Sequence, residues 1–183
     1  MKWALIITGV VVAFAVFIVV VGALLPRDHV ATLSARISAP PTAVWAAITD
    51  PSGFTTWRSD VTRIEMVGST PSGPSWREHS RHGAITMVIE VAEPPRRLVT
   101  RIADENLPFG GRWEFDIEPD GDSSSRVVIS ERGSVYNPVF RFVSRFVMGH
   151  TQGINRYLRA LGKHFGSEPT PTIIAAAGHP HGV

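Results

Sequence analysis

The chain has no cysteine. That excludes a disulfide framework, a thiolate nucleophile and Cys-ligated zinc or iron–sulfur sites. Lysine is almost missing as well. It stands only at positions 2 and 163, so arginine supplies nearly all of the 18 basic residues, which face 16 acidic ones. The formal charge of +2 is spread without a dense basic block, which leaves a nucleic-acid partner without its electrostatic footprint. The G-x-S-x-G nucleophile elbow and the glycine-rich phosphate loops are absent too. The seven histidines do not make up the difference. His79 and His82 sit three apart on a strand and face opposite sides, His150 and His164 are far apart on a helix, and His179 and His181 lie in the tail. None of these spacings matches a metal site, and no metal or cofactor is expected.

Charge is missing altogether from Trp3 to Leu25, "WALIITGVVVAFAVFIVVVGALL". As a helix these residues would reach roughly 34 Å, against a hydrocarbon core of about 30 Å. Trp3 sits where an interfacial aromatic belongs, and Pro26 ends the run before Arg27, Asp28 and His29. A cleaved signal peptide is the rival reading. The run exceeds the usual apolar length of roughly 7–15 residues, and Val21-Gly22-Ala23 makes a poor cleavage site. The expectation is an uncleaved single-pass membrane anchor over residues 1–28. Lys2 and the amino terminus balance Arg27 and Arg36, so charge leaves the side of the membrane open.

The rest of the chain divides into a domain over 29–165 and a disordered tail over 166–183, the latter read from its Pro, Gly and small residues. Leu33, Ala35 and Ile37 alternate as a first strand. Pro40 and Pro41 then open a helix with Val44, Trp45 and Ile48 at helical spacing, and Asp50-Pro51-Ser52-Gly53 closes it. Six further strand-like runs, beginning near Val61, Trp76, Ala84, Arg97, Arg112 and Arg126, are joined mostly by short polar turns, which favours an antiparallel meander. Val139, Val143, Phe146, His150, Ile154, Tyr157, Leu161 and Phe165 step by three or four along one final helix. The reading is an α+β domain with a seven-stranded antiparallel sheet covered by a long C-terminal helix, preceded by one transmembrane helix.

This order, with "ISAPPTAVWAAITDPSGFTTW" after the first strand, "EPPRRLVTRI", "GGRWEFDIEPDG" and "RVVISERGSVYNP" leading into the last helix, resembles the START-like helix-grip (SRPBCC) superfamily. Within it the sequence looks most like polyketide cyclase/dehydrase-type proteins. The resemblance covers about residues 30 to 165. It implies a curved sheet gripping the long helix with a cavity between them, and it carries over no catalytic residue.

Strand alternation aims Glu131 inward with Val127 and Ile129, Glu78 inward with Trp76, and Trp113 inward with Phe115. A buried carboxylate needs a cation or must lose its charge, and Arg101 and Arg81 are the strand-borne candidates. The expected lining is Trp57, Trp76, Glu78, Arg101, Trp113, Phe115, Glu131 and Tyr136, with Phe142, Phe146 and His150 from the helix and Phe109 at a mouth loop beside Gly110 and Gly111. The function this suggests is a membrane-anchored protein that binds a hydrophobic small molecule or lipid. A cyclase or dehydratase working through a cavity carboxylate, and a protein-interaction domain with a closed cavity, are the alternatives.

Overall fold

A computed structural model describes residues 2–174. Its first element, α1 (Lys2–Leu24), is long and apolar enough to cross a membrane and lies mostly exposed: Gly22 is its one buried residue. The domain begins at once with β1 (Asp28–Ile37), followed by α2 (Pro41–Thr49), a 3-10 turn (Pro51–Gly53) and α3 (Phe54–Trp57). Pro40 takes the extended conformation before α2 and Pro41 fills its first turn, where a missing N–H costs nothing. The Asp50 side chain accepts the Ser52 N–H and starts the 3-10 turn.

Six antiparallel strands follow as a meander: β2 (Arg63–Thr70), β3 (Gly73–Ser80), β4 (Gly83–Glu93), β5 (Arg97–Ile102), β6 (Phe109–Pro119) and β7 (Ser125–Val135). β1 closes onto β7, giving the order β2-β3-β4-β5-β6-β7-β1. Bulges between Met66 and Gly68 in β2 and between Ile89 and Val91 in β4 bend the sheet. The seven expected strands are joined by an eighth, β8 (Thr172–Ile173), which pairs with β1 at Leu33 and Ser34. It lies in the segment that the sequence assigned to a tail. The chain beyond Gly166 folds back over α5 (Gln152–His164), with Pro169 packed so close to Gly162 that a Cβ there would collide with it. Backbone pairing at a sheet edge needs no side-chain periodicity, so composition gave no sign of it. Residues 175–183, with His179 and His181, lie outside the described residues.

The single long helix is also corrected. The chain forms α4 (Pro138–Val143), a π-helical turn (Ser144–Met148), a break at Gly149, and α5. Gly149 has φ +72° and ψ 154°, a region essentially reserved for glycine. The break splits the apolar stripe. Ile154, Tyr157, Leu158 and Leu161 of α5 are buried against the sheet, where they meet Leu33, Ile37, Phe115, Ile117 and Ile129 in one core. Val139 and Phe146 instead remain exposed.

α4 packs on α1. The Pro138 carbonyl sits where a Cβ of Gly22 would be, and the Phe142 ring meets Phe17 edge-on at 6.4 Å. Nothing lies within 4 Å of a Cβ built on Gly149, so Gly149→Ala carries only the backbone penalty. We expect it to destabilise the domain by about 1–3 kcal/mol, read as a lower urea midpoint for the full-length protein in detergent.

Candidate functional site

The middle of the grip is filled. Tyr157, from α5, is surrounded by Trp57 at 5.3 Å, Trp113 at 5.6 Å and Phe115 at 5.5 Å between ring centroids. Phe54 links this group to Trp76 at 6.0 Å. Beside it lies a buried ion pair. Arg58 donates from Nη1 to Glu78 Oε1 and from Nη2 to Glu78 Oε2, both at 2.9 Å, and from Nη2 to Asp60 at 3.0 Å. The Trp76 indole N–H donates to the same Glu78 oxygen at 3.0 Å. The guanidinium carbon lies 5.2 Å from the Phe54 and Tyr157 ring centres, close enough for cation–π attraction.

Burial alone would lower the Arg58 pKa, but the Glu78 charge and the hydrogen bonds raise it. Burial works against the Asp60 carboxylate, and Arg58 outweighs it, leaving that pKa lowered. Burial raises the Tyr157 pKa and keeps the phenol neutral, with the Arg58 charge pulling the other way. Glu78 therefore has its cation, and that cation is Arg58 rather than a strand-borne arginine. Alternation turns Thr100 inward and Arg101 outward, where Arg101 pairs with Glu90 at 2.6 Å on the far side of the sheet.

Open space lies at the end of the grip next to α1. A hollow of about 290 Å³ is bounded by Leu25, Pro26, Arg27, Asp28, His29 and Val30, and across from them by Val135, Arg141, Ser144, Arg145 and His150. The Gly149 break carries His150 to this point. Its imidazole stacks on that of His29, with centroids 3.9 Å apart and planes 26° apart. His29 Nε2 stands 3.6 Å from Glu131 Oε1.

Glu131 does face inward, opposite Trp113 on β6 and Ala31 on β1. Gly133 lies across from His29, and a Cβ there would run into the imidazole. Burial pushes the His150 pKa down. The charge on His29 and that of Arg145 push the same way, and Glu131 opposes them. The floor is held by Arg141, which is buried and donates to the carbonyls of Ala23 (3.3 Å), Leu25 (2.9 Å) and Tyr136 (3.3 Å).

The expected lining residues thus separate. Trp57, Trp76, Glu78, Trp113 and Phe115 form the filled centre. His150 lines the hollow, and Glu131 stands behind it beside His29. Phe109 begins β6 opposite Val135. Tyr136 is exposed beside Gly110, and Phe142 and Phe146 turn toward α1 and the surface because the helix breaks after them. Sequence reasoning missed His29, Arg58, Arg141 and Arg145. For His29 there was a signal: a glycine inside a strand, Gly133, marks close approach by a neighbour. Among the described residues no group of His, Asp and Glu could hold a metal ion.

A family model for polyketide cyclase / dehydrase and lipid transport matches residues 28–163. The chain belongs to this family. Its fold is START-like. A START superfamily protein from Mycobacterium smegmatis is 13% identical with a TM-score of 0.62, over 75% of this chain and 97% of that one. Norcoclaurine synthase from Thalictrum flavum, solved with dopamine and hydroxybenzaldehyde, is 12% identical with a TM-score of 0.59, over 75% and 86%. A Thermobifida fusca protein is 23% identical with a TM-score of 0.57, over 75% and 93%. No curated protein matches the sequence.

Two measurements test these two sites of the family member. Glu78→Gln removes the bidentate partner of the buried Arg58 and leaves it Asp60 alone, so a loss of at most about 3–5 kcal/mol is expected, seen as a lower thermal midpoint. Arg58→Met with Glu78→Leu removes both charges but leaves Asp60 and the buried Trp76 indole N–H without their partners, so it should restore only part of that loss. For His150, the lowered folded pKa means that the unfolded chain takes up the proton first as the pH falls. Stability should hold above the ordinary histidine value of about 6.5 and decline as the pH drops below it. In His150→Gln that part of the decline should be missing from melting curves recorded across the range.

Proposed function

We propose that the protein is a membrane-anchored binder of a lipid-like hydrophobic molecule, which it takes up through the hollow between α1 and the Gly149 break. The observation that carries this reading is the lining of that hollow. Leu25, Pro26, Val30 and Val135 offer apolar surface, while Arg27, Arg145, His29 and His150 offer polar and cationic groups. Such a mixture suits an amphipathic ligand. About 290 Å³ is near the roughly 300 Å³ lower end of small-molecule sites. The hollow therefore receives one end of the molecule and leaves the rest against α1. With the centre closed by Tyr157 and its neighbours, entry from the α1 end is the open route. The family includes lipid transport in its description, which agrees with this reading.

A cyclase/dehydrase-type activity is the second reading, favoured by His29 at the hollow standing between Glu131 and His150. Three titratable groups so placed can accept and return a proton.

Mass spectrometry of small molecules retained by the full-length protein after detergent extraction tests both readings. A hydrophobic species should accompany the native protein, and Val30→Trp, at an exposed rim position, should carry several-fold less. Equal amounts on both would refute uptake through this hollow. Glu131→Gln should retain the same species if the protein only binds. A retained precursor heavier by one water would instead establish turnover.

A further inference from the structure

We propose that α4 and the π-helical turn after it form a second membrane element, lying in the lipid interface beside α1 with their apolar side chains among acyl chains. The inference rests on the reading of α1 as a bilayer-spanning helix and adds to it a surface of the folded domain.

Depth is the first argument. Phe142 packs against Phe17, and Phe17 precedes the last residue of α1, Leu24, by seven positions. At 1.5 Å per residue its Cα lies roughly 10 Å along the axis from that end. Pro138 touches α1 at Gly22, closer to the same end. A bilayer that surrounds α1 up to Leu24 must therefore also surround the side of α4 that meets it. Interfacial helices sink their apolar face by about 5–10 Å, which is the same range.

Surface chemistry is the second argument. Val139, Phe140, Phe146 and Val147 are 42%, 50%, 60% and 71% exposed. No acidic residue occurs from Tyr136 to Met148. The two charges in the segment are arginines with different tasks. Arg141 turns inward and satisfies the carbonyl of Ala23 in the last turn of α1 and that of Leu25 just after it. Arg145 is exposed at the hollow, level with the residues that follow α1, where a long cationic side chain meets lipid phosphates.

Backbone satisfaction is the third argument, since lipid supplies no hydrogen bonds. The Asn137 side chain accepts the N–H groups of Val139 and Phe140 at the start of α4. At the other end the Gly149 N–H donates to the Ser144 carbonyl at 2.9 Å. The start of the segment is thereby closed, and one carbonyl of its last turn is satisfied.

The absence of cysteine allows a direct test. Single variants Phe146→Cys and Val147→Cys, each with a nitroxide label, would be reconstituted as full-length protein in vesicles of phosphatidylcholine and phosphatidylglycerol. Val16→Cys in α1 serves as the bilayer reference and Arg101→Cys on the outer sheet face as the aqueous one. Labels at 146 and 147 should be relaxed more strongly by oxygen than by a water-soluble nickel chelate, as at 16 and opposite to 101. If 16 reads lipid while 146 and 147 read water, the anchor stands and this proposal is overturned. Labels reached by neither reagent would mean that protein covers the segment, and would overturn it too. An aqueous reading at 16 would refute the spanning helix itself, and the proposal with it.

Discussion

One guanidinium joins the N-terminal helix to the folded domain. Arg141, in α4, binds the carbonyls of Ala23 and Leu25 around the end of α1 and that of Tyr136 just before α4, so two segments distant in sequence share one cation. A helix end leaves carbonyls without partners, and a buried arginine needs acceptors around it. Each demand answers the other. With that junction fixed, α4 must lie along α1, the chain must turn sharply at Gly149 to bring α5 back to the sheet, and a hollow remains between the start of β1 and the turn. Replace the long broken element by one continuous helix and Phe142 would leave Phe17, and His150 would leave His29.

The centre of the grip follows a different logic. A curved sheet closing on a helix leaves space for a ligand only where side chains do not fill it. Here Tyr157, Trp57, Trp113 and Phe115 fill it, and the Arg58–Glu78 pair with Asp60 occupies the adjoining corner. A buried ion pair of this kind adds little net stability, but it makes the arrangement unforgiving, since either partner left alone is costly. The hollow beside α1 therefore lies at one end of the START-like fold rather than at its centre. Membership in the family sets the architecture, and the side chains of this chain decide where the architecture is open.

Much of the sheet was legible from residue types. Alternation in β1, β6 and β7, with turn residues between the runs, located the strands, and it aimed Glu78 and Glu131 inward as found. The missing pieces share a cause: each depends on contacts between distant segments. The stripe from Val139 to Phe165 keeps helical spacing across Gly149, so periodicity alone could not show that its first half turns to α1. Arg58 stands outside the strands, and nothing near it announced a pairing twenty residues away. His29 shares the face of Leu33, Ala35 and Ile37 by alternation, but it follows closely on the apolar run and reads as part of the return to water; its place opposite Gly133 gives it room. Arg101 was misread because a strand-borne cation near a carboxylate in sequence order can stand on the opposite face, as its pairing with Glu90 shows. β8 is held by two backbone pairings and so left no pattern to read.

The two rims of the sheet are treated unequally. On one side β8 lies along part of β1. On the other, among the described residues, β2 is bonded only to β3, which leaves a row of amide and carbonyl groups able to recruit a strand from another molecule. The bulge at Met66–Gly68 interrupts that row, and Arg63 and Glu65 near its start would lose water if a second strand arrived. Two copies that met at this edge would find an outer strand shaped so that the encounter does not grow into a shared ladder.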